Sequence, residues 1–271
     1  MSDPKNKYDN YKFYICTAQT TPFVNTIESI ANQFPEGIFE FSKDGIRYRN
    51  MTKNRDVYMD CIMKHHNFEQ YYCPKTEKVP LCIGNFFKSI KSIDNCETLK
   101  LYIEKDNPSK FIIDIFNKDD NTNYKTELNM IDLSMPKLEI PDTEFNNVIV
   151  IPSPKFKKVC GLIGQFNEKV EIILCGGQIQ FKGTNSDVAQ TFIIRPTENG
   201  AKFKKTEKVI HGCFVLKYLQ QFCKCNALSR NIDMLFVNDF PLILMCQIPN
   251  LGETKLLIAP QPDDDVDEDE E

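Results

Sequence analysis

The chain has 271 residues, 41% of them hydrophobic and 26% charged, which is a globular composition with enough length for two domains that each bury a core. It contains no apolar run close to the roughly 20 residues of a membrane span, and the polar residues 1–10 lack the apolar segment of a secretory signal. Eleven cysteines, an odd number without paired spacing, favour reduced thiols in an intracellular protein.

The formal net charge of −5 conceals an uneven distribution. Residues 263–271 contain eight acidic residues and one valine, so residues 1–262 carry 33 basic against 30 acidic groups, a net charge of +3. A run of like charges repels itself and buries little apolar surface, which predicts a disordered acidic tail. The rest of the chain is close to neutral, so the placement of its lysines matters more than their number.

The first half of the chain is predicted to contain two short helices among many short strands. The helices are expected over 22–34 and 84–93. The strands are expected over 12–18, 38–42, 45–51, 57–63, 99–104, 111–116 and 125–131.

The second half repeats this order after a predicted extended linker over 132–145, which contains Pro136 and Pro141. Gly176 and Gly177 separate two predicted strands and fit a tight hairpin. Helices in only two places per half favour an α+β fold with antiparallel sheets over a wound parallel sheet. The helices are expected over 155–165 and 211–224, and the strands over 147–151, 170–175, 178–182, 188–195, 231–237, 242–248 and 253–258.

A constant offset of 133 positions relates the two halves. Chance alignment of apolar residues is the alternative explanation, but the matches need no gap and run from near the start of the chain to near its end. Repeats longer than a hundred residues are domains, not solenoid units. The matched pairs are Phe23 and Phe156, Ile30 and Ile163, Ile46 and Ile179, Tyr48 and Phe181, Lys91 and Lys224, Ile103 and Phe236, Asp106 and Asp239, Pro108 and Pro241, and Ile115 and Ile248.

Three of the four predicted helices present lysine opposite an apolar face when residues are placed at 100° per position. The first helix instead exposes Asn25, Glu28, Ser29 and Asn32. Charged solvent-facing helix surfaces are common, so the lysines alone do not establish a binding function. The apolar faces are Phe86, Phe87, Ile90 and Ile93; Phe156, Val159, Cys160 and Ile163; and Phe214, Tyr218, Leu219 and Phe222. The lysines are Lys88 and Lys91, Lys157 and Lys158, and Lys217 and Lys224.

Motifs of catalysis are missing from the sequence. There is no nucleotide-binding glycine loop, zinc-protease motif or nucleophile elbow, and only three histidines are present. His211 and Cys213 are expected to point apart on the predicted helix 211–224 and so not to act as base and nucleophile. Cys223 and Cys225 form a close pair without the second pair of a zinc site. We therefore expect a binding or scaffolding protein, with no enzyme activity, cofactor or metal.

The C-terminal part of the second half resembles the eukaryotic DNA sliding clamp, the PCNA family. The resemblance extends over about residues 10–262, and the order and spacing of the motifs are more specific than any single motif. The residues that carry it are Leu216-Lys217-Tyr218-Leu219-Gln220-Gln221-Phe222, Asp239-Phe240-Pro241-Leu242, Leu251-Gly252 and Ala259-Pro260 before an acidic tail, and upstream Asp44-Gly45-Ile46, Met51, Met130-Ile131-Asp132-Leu133, Leu138, Ile140-Pro141, Pro152-Ser153 and Phe156.

The resemblance implies a clamp domain over 1–131, a connector over 132–145 and a second clamp domain over 146–262. It implies a ring of three subunits with helices lining the hole and sheets outside. Lys88, Lys91, Lys157, Lys158, Lys217 and Lys224 would then face duplex DNA, because lysine point charges attract phosphates without base readout. Strand edges near 125–131 of one subunit and 188–195 of the next would pair across subunits.

The resemblance also implies a pocket for a short peptide turn with aliphatic and aromatic anchors, carried by DNA polymerase, clamp loader, nuclease and ligase partners. The alternative is that these positions are ordinary core residues at a domain junction. The matching residues are Met51, Val57, Leu138, Ile140, Pro241 and Leu257, with Ala259 and Pro260 on the backbone side of the peptide.

Several positions depart from the family pattern. Leu257 stands where the family often has tyrosine, Pro136 stiffens the connector, and one residue is inserted within 52–56, which loosens the alignment of Val57. The first helix lacks the expected lysines. The family's modified lysine falls on Gly176 or Gly177, so ubiquitin-type modification at that position is expected to be absent.

The sequence thus predicts a non-enzymatic sliding clamp acting as a homotrimer in replication and repair. One alternative is a monomeric or dimeric processivity subunit that binds DNA by charge without encircling it. Another is a subunit of a heterotrimeric checkpoint-type clamp. Lysine far outnumbers arginine, which suggests an AT-rich genome, and a nuclear location is expected, or a cytoplasmic replication factory if the source is a virus.

Overall fold

The computed structural model describes residues 7–94, 97–134, 147–198, 200–204, 209–225, 229–238 and 240–262. The chain forms two compact units. Unit 1 comprises Met1–Asn50, Met59–Glu139 and Gln247–Thr254, and unit 2 comprises Met51–Tyr58, Ile140–Cys246 and Lys255–Glu271.

The described part of the first half contains two α-helices and nine strands. A 3₁₀ turn, His65–Asn67, lies between its fourth and fifth strands. In chain order the elements are β1 (Tyr11–Thr17), α1 (Thr20–Gln33), β2 (Glu36–Ser42), β3 (Gly45–Met51), β4 (Val57–Lys64), β5 (Gln70–Tyr72), β6 (Glu77–Cys82), α2 (Ile83–Ile90), β7 (Glu97–Glu104), β8 (Lys110–Asn117) and β9 (Thr122–Asn129).

The second half, as far as the structure describes it, has the same sequence of elements. They are β10 (Val148–Pro152), α3 (Ser153–Ile163), β11 (Lys169–Cys175), β12 (Gln178–Thr184), β13 (Ala189–Ile194), β14 (Lys202–Lys204), β15 (Ile210–Val215), α4 (Leu216–Cys225), β16 (Asn231–Leu235), β17 (Leu242–Ile248) and β18 (Gly252–Ile258).

Strand order repeats between the halves. The strands of the first half are ordered β5-β1-β7-β8-β9 and β4-β3-β2-β6, and those of the second half β14-β10-β16-β17-β18 and β13-β12-β11-β15. Each strand therefore occupies the position of its counterpart, as the offset of 133 residues predicts. The α+β class with antiparallel sheets and four short helices is confirmed.

The core of unit 1 is an aromatic cluster. Phe13 of β1 stacks on Phe41 of β2, with ring centroids 4.2 Å apart. Phe86 of α2 meets both Phe39 and Phe111 edge-on, at 5.5 and 5.4 Å. All five side chains are buried. One helix side chain thus packs against strands of both sheets. Edge-to-face pairs of this kind stabilise the folded state beyond the effect of burying apolar area.

The core of unit 2 repeats the scheme with fewer aromatic rings. Phe156 of α3 meets Phe181 of β12 at 6.2 Å, and Phe214 of β15 meets Phe236 at 5.7 Å. The predicted apolar face of α3, namely Phe156, Val159, Cys160 and Ile163, is buried throughout. Among the described residues, no helix is long and apolar enough to cross a membrane.

The helix predicted over 211–224 is shorter than expected. Residues 210–215 alternate between buried and half-buried positions, a period of two that belongs to a strand, and they form β15 beside β11. The helix α4 begins only at Leu216, whose backbone N–H donates to Glu168 O at 2.8 Å. The strands β5, β6 and β14 were not predicted, because β5 and β14 have only three residues and Pro80 interrupts the strand pattern of β6.

Two smaller details of the helix faces also differ from the prediction. Ser29 is buried on α1, because Thr26, Ile27 and Ile30 beside it extend the buried face around the helix. Phe87 of α2 is only half-buried.

The hairpin at Gly176 and Gly177 is confirmed. Both residues have positive φ angles, 58° and 71°, and they join β11 to β12 where Cys175 pairs with Gln178. A two-residue turn with both φ positive matches the twist of the flanking strands, and glycine adopts it without steric cost.

Candidate nucleic-acid interface and peptide pocket

The four described α-helices are strongly depleted in acidic residues. Together with Lys91, the residue that caps α2, they contain seven lysines and a single acid, Glu28 of α1, a net charge of +6. The remainder of residues 1–262 carries 26 basic and 29 acidic residues, a net charge of −3, so the helices differ in sign from the rest of that segment. A solvent-facing helix surface normally mixes both signs, whereas a surface of one sign attracts ligands of the opposite charge.

The structure exposes the predicted helix lysines whose side chains it describes. Lys88, Lys91, Lys157, Lys158 and Lys217 are all exposed. Lys224 lies on α4 at a position where only the backbone is described.

Sequence reasoning did not select Lys155, which is also exposed on α3. The run Pro154-Lys155-Phe156-Lys157-Lys158 could have identified it, since only Phe156 is buried in that run. The structure therefore places three exposed lysines on α3, one more than the sequence analysis selected.

The lysines of α3 lie at the electrostatically unfavourable end of their helix. No acidic residue occupies the first turn, while Lys155, Lys157 and Lys158 lie in the N-terminal half. A positive charge in the first turn opposes the helix dipole, at a cost of about 0.3–1 kcal/mol when exposed, and the effect falls off beyond that turn. Lys155, in the first turn, therefore does not stabilise α3, and its presence beside Lys157 and Lys158 favours a ligand-binding role over a merely solvated face. Lys88 and Lys91 lie at the C-terminal end of α2, where the dipole favours them.

The helix α1 shows no such surface. It carries neither lysine nor arginine, and Glu28 and Asn32 lie on its solvent-facing side. The sequence of this helix contains no lysine, and its surface in the structure accordingly carries no positive charge.

A second candidate site lies in unit 2, at a corner where three strand ends meet. The start of β17, the end of β18 and the start of β4 are neighbours in the strand order. Met51, Pro241, Leu257 and Ala259 are half-buried here and Pro260 is exposed, whereas Val57 is fully buried. The predicted positions Leu138 and Ile140 lie outside the described residues, as do 135–146 and the acidic tail 263–271.

Hydrogen bonds hold this corner in place. The backbone N–H of Ala259 donates to Asp56 O at 2.8 Å, and the Tyr218 hydroxyl donates to Asp56 Oδ2 at 3.2 Å. Partial burial, together with the neighbouring Asp56 carboxylate, raises the pKa of Tyr218 and keeps its hydroxyl protonated. The turn 52–56 is closed by Thr52, whose N–H donates to Val57 O at 2.9 Å.

A pocket of about 490 Å³ lies beside this corner. Of the predicted partner residues that the structure describes, only Pro260 lines it. At the edge of the pocket the N–H of Gln261 donates to Cys213 O at 2.8 Å, so a single antiparallel bridge pairs Gln261 with β15. The lining residues are His211, Gly212, Cys213, Asn238, Pro260, Gln261 and Pro262.

The structure corrects the prediction for His211 and Cys213. They lie on strand β15, where alternate residues share one face, so both side chains belong to the same side of the sheet. His211 Nε2 lies 2.9 Å from Glu171 Oε1, and Lys182 Nζ lies 3.6 Å from Glu171 Oε2. The imidazole is thus engaged by the carboxylate of Glu171.

Two edge strands present apolar side chains to solvent. The strand β9 ends one sheet of the first half, and β13 ends the four-stranded sheet of the second half. Tyr124 on β9 is 61% exposed and Ile193 on β13 is 43% exposed. Exposed edges with apolar side chains are templates for pairing with another strand.

Among the described residues no group of three or more histidine, cysteine, aspartate or glutamate side chains could hold a metal ion. All described cysteines with an assigned state are free thiols.

Comparison with known sequences places both halves in one family. Residues 16–136 match the proliferating cell nuclear antigen N-terminal domain, and residues 139–261 match its C-terminal domain. A probable DNA polymerase sliding clamp of Acanthamoeba polyphaga mimivirus is 29% identical over 219 residues, which is 80% of this chain but 47% of the relative. The chain thus spans about half the length of that relative.

Two further relatives are matched over nearly their whole length. Probable DNA polymerase sliding clamp 1 of Paramecium bursaria Chlorella virus 1 is 24% identical over 93% of this chain and 98% of its own length. Proliferating cell nuclear antigen of Caenorhabditis elegans is 23% identical over 88% of this chain and 93% of its own length.

Proposed function

The chain belongs to the proliferating cell nuclear antigen family of DNA sliding clamps, and we propose that it encircles duplex DNA as a homotrimeric, non-enzymatic processivity factor for DNA polymerase. The observation that carries this proposal is the positive charge of the four helices in a chain that is acidic overall. Lysine charges that attract phosphates without reading bases allow a protein to slide along a duplex.

The proposed DNA-facing residues are the helix lysines. Lys157 and Lys158 of α3 are the strongest candidates, because exposed Lys155 extends their surface. The helix α1 would contribute least, because it carries no lysine. The set proposed from the sequence is completed by Lys88, Lys91, Lys217 and Lys224.

Ring closure is supported by the internal repeat. Within unit 1 the N–H of Lys64 donates to Leu251 O at 2.9 Å, and within unit 2 Ala259 N–H donates to Asp56 O. Both contacts place β4 beside β18. Because β13 is the counterpart of β4, and β9 that of β18, the repeat favours the same pairing between β13 of one copy and β9 of the next. That pairing would cover the exposed apolar side chains of both strands.

The proposed peptide site is the corner of unit 2. Met51, Pro241 and Leu257 would contact the anchor side chains, and Ala259 and Pro260 the peptide backbone. An aliphatic residue at position 257 makes no aromatic contact, so partners with aliphatic anchors are expected to be favoured. Polymerase, clamp loader, nuclease and ligase are the proposed partner classes.

Three further positions belong to this proposed site. Buried Val57 would support it from beneath. Leu138 and Ile140 are proposed from the resemblance alone.

Other features of the proposal follow from the family. Clamp domains over 1–131 and 146–262 with a connector over 132–145 are proposed, with action in the nucleus or in a viral replication factory. Gly176 and Gly177 offer no side-chain amine, so ubiquitin-type modification at this hairpin is proposed to be absent. Mass spectrometry that found a modified neighbouring lysine would weaken this point.

The test is the mass in solution by light scattering after size exclusion, at micromolar and then nanomolar concentration. Three times 31.4 kDa supports the homotrimer. A stable monomer or dimer would favour the charge-held processivity subunit, and assembly only with non-identical chains would favour a heterotrimeric clamp. Retention on closed circular DNA with release on linear DNA then separates encirclement from binding by charge alone.

A further inference from the structure

Two buried cysteines meet between the helices α3 and α4 of unit 2. Cys160 on α3 is 1% exposed and Cys223 on α4 is 5% exposed, and both are free thiols. The Cys223 side chain acts directly on the Cys160 thiol and raises its pKa. The two thiols are therefore neighbours, although 63 positions separate them in the chain.

The helices approach closely at this point. Gln220, one turn before Cys223 on α4, donates from Nε2 to the backbone carbonyl of Cys160 at 3.2 Å. One turn after Cys160, Gly164 leaves room for the same amide, since a Cβ on Gly164 would collide with Gln220 Nε2. Small residues at a helix contact shorten the distance between the axes. A disulfide needs Cα atoms within about 4.4–6.8 Å, which only such close packing provides between two helices.

We propose that Cys160 and Cys223 form an intramolecular disulfide under oxidising conditions and so tie α3 to α4 within unit 2. Each thiol gives up one proton and one electron as the S–S bond forms. The oxidant, a peroxide or a diazene such as diamide, accepts the two electrons and two protons and is reduced to water or to the hydrazine.

The surroundings of the thiols set the rate of this reaction. The hydrogen bond to Cys223, together with burial, raises the pKa of Cys160 well above its ordinary value. The thiolate is the reacting species, so oxidation is slow at neutral pH and accelerates as the pH rises. The cross-link joins the helices that carry Lys157 and Lys217, but its formation does not depend on their binding DNA.

The experiment treats the full chain with diamide at pH 7.5 and pH 9, blocks remaining thiols with iodoacetamide under denaturing conditions, and maps peptides by mass spectrometry. The expected product is a linked peptide pair containing Cys160 and Cys223, lighter by two hydrogen atoms. We expect Tm to rise by roughly 5 °C or more, because the bond restricts a long loop in the unfolded chain.

Matched variants identify the bond. Cys223→Ser removes the linked peptide and the rise in Tm, whereas Cys73→Ser, at another buried cysteine, keeps both. The proposal is overturned if Cys160 and Cys223 are both alkylated in the diamide-treated wild type at pH 9, or if either links to another cysteine. This peptide map of the wild type needs no variant to fold.

Discussion

The Tyr218 hydroxyl donates a hydrogen bond to Asp56 Oδ2 at 3.2 Å, across 162 positions of sequence. Asp56 ends the turn 52–56, and its carbonyl also accepts the N–H of Ala259. One residue therefore connects the α4 helix, the turn and the segment after β18. The position of the turn 52–56 beside the proposed peptide site therefore depends on this hydrogen bond.

Tyr218→Phe is expected to weaken binding of an anchor peptide several-fold, because the turn 52–56 is then no longer hydrogen-bonded to α4. The decrease in stability should be about 0.5–1.5 kcal/mol, the usual net value of one hydrogen bond. Fluorescence polarisation with a labelled peptide measures the first effect and urea unfolding the second. The matched control is Tyr71→Phe, which removes the bond from Tyr71 to Ser42 O at 2.7 Å in unit 1. An equal decrease of peptide affinity in both variants would contradict a role for the corner of unit 2.

Replacing Lys157 and Lys158 together by glutamine should weaken DNA binding without destabilising the fold. The logarithm of the binding constant should depend less steeply on the logarithm of salt concentration, by about 0.9 for each phosphate that is no longer neutralised. Stability should change little, because both side chains are exposed and lie beyond the first turn of α3. Titration of labelled duplex at several salt concentrations measures the slope. Exposed Lys43 and Lys78, which lie off the helices, provide the control pair, and an equal change of slope there would refute a specific role for α3.

Ile193→Asp and Tyr124→Asp should each dissociate the ring. Either variant places an unpaired charge on an edge strand that the proposed pairing would desolvate. Light scattering is expected to give the mass of one chain, with the far-ultraviolet circular dichroism spectrum unchanged. Val209→Asp is the control, since Val209 is 57% exposed beside β15, at the opposite edge of the same sheet as β13. If it dissociates the ring as well, the β9–β13 pairing does not hold the subunits together.

Phe86→Ala should destabilise the protein by about 3–5 kcal/mol, the usual cost of truncating a buried phenylalanine. Phe86 contacts both Phe39 and Phe111, so the cavity would open between strands of both sheets. Denaturant unfolding measures the change. Phe240→Ala, at a residue 38% exposed, should cost much less. Similar values for the two variants would mean that the aromatic cluster is not the main core of unit 1.

Alkaline pH should unfold the protein through its buried and half-buried tyrosines. Burial raises the pKa of Tyr102 to about 12 and that of Tyr14, Tyr48 and Tyr71 further. These phenols stay protonated in the folded state and ionise near pH 10 once unfolded, so the unfolded state binds fewer protons. The stability they contribute is complete below pH 10 and is lost as the pH rises towards 12. Urea unfolding from pH 9 to 11.5, with tyrosinate absorbance at 295 nm, should show this fall; a constant free energy would contradict it.

Much of the architecture could be predicted because it rests on local pattern. The alternation of buried residues marks the longer strands, and the spacing of Phe156, Val159, Cys160 and Ile163 marks α3. The prediction of a helix was wrong for the segment 210–215, because its apolar residues continue directly into the helix that follows. The contact of His211 with Glu171 could not be predicted either, since Glu171 lies 40 positions away on another strand.

The twofold repeat, the α+β class, the family and the lysines of the helices could be predicted from the chain, because each depends on the order and spacing of its residues. The contacts of Asp56 with Tyr218 and Ala259, and of Cys160 with Cys223, are seen in the folded structure alone. Contacts between residues far apart in sequence leave no periodic trace in the chain, since they arise where folded elements pack.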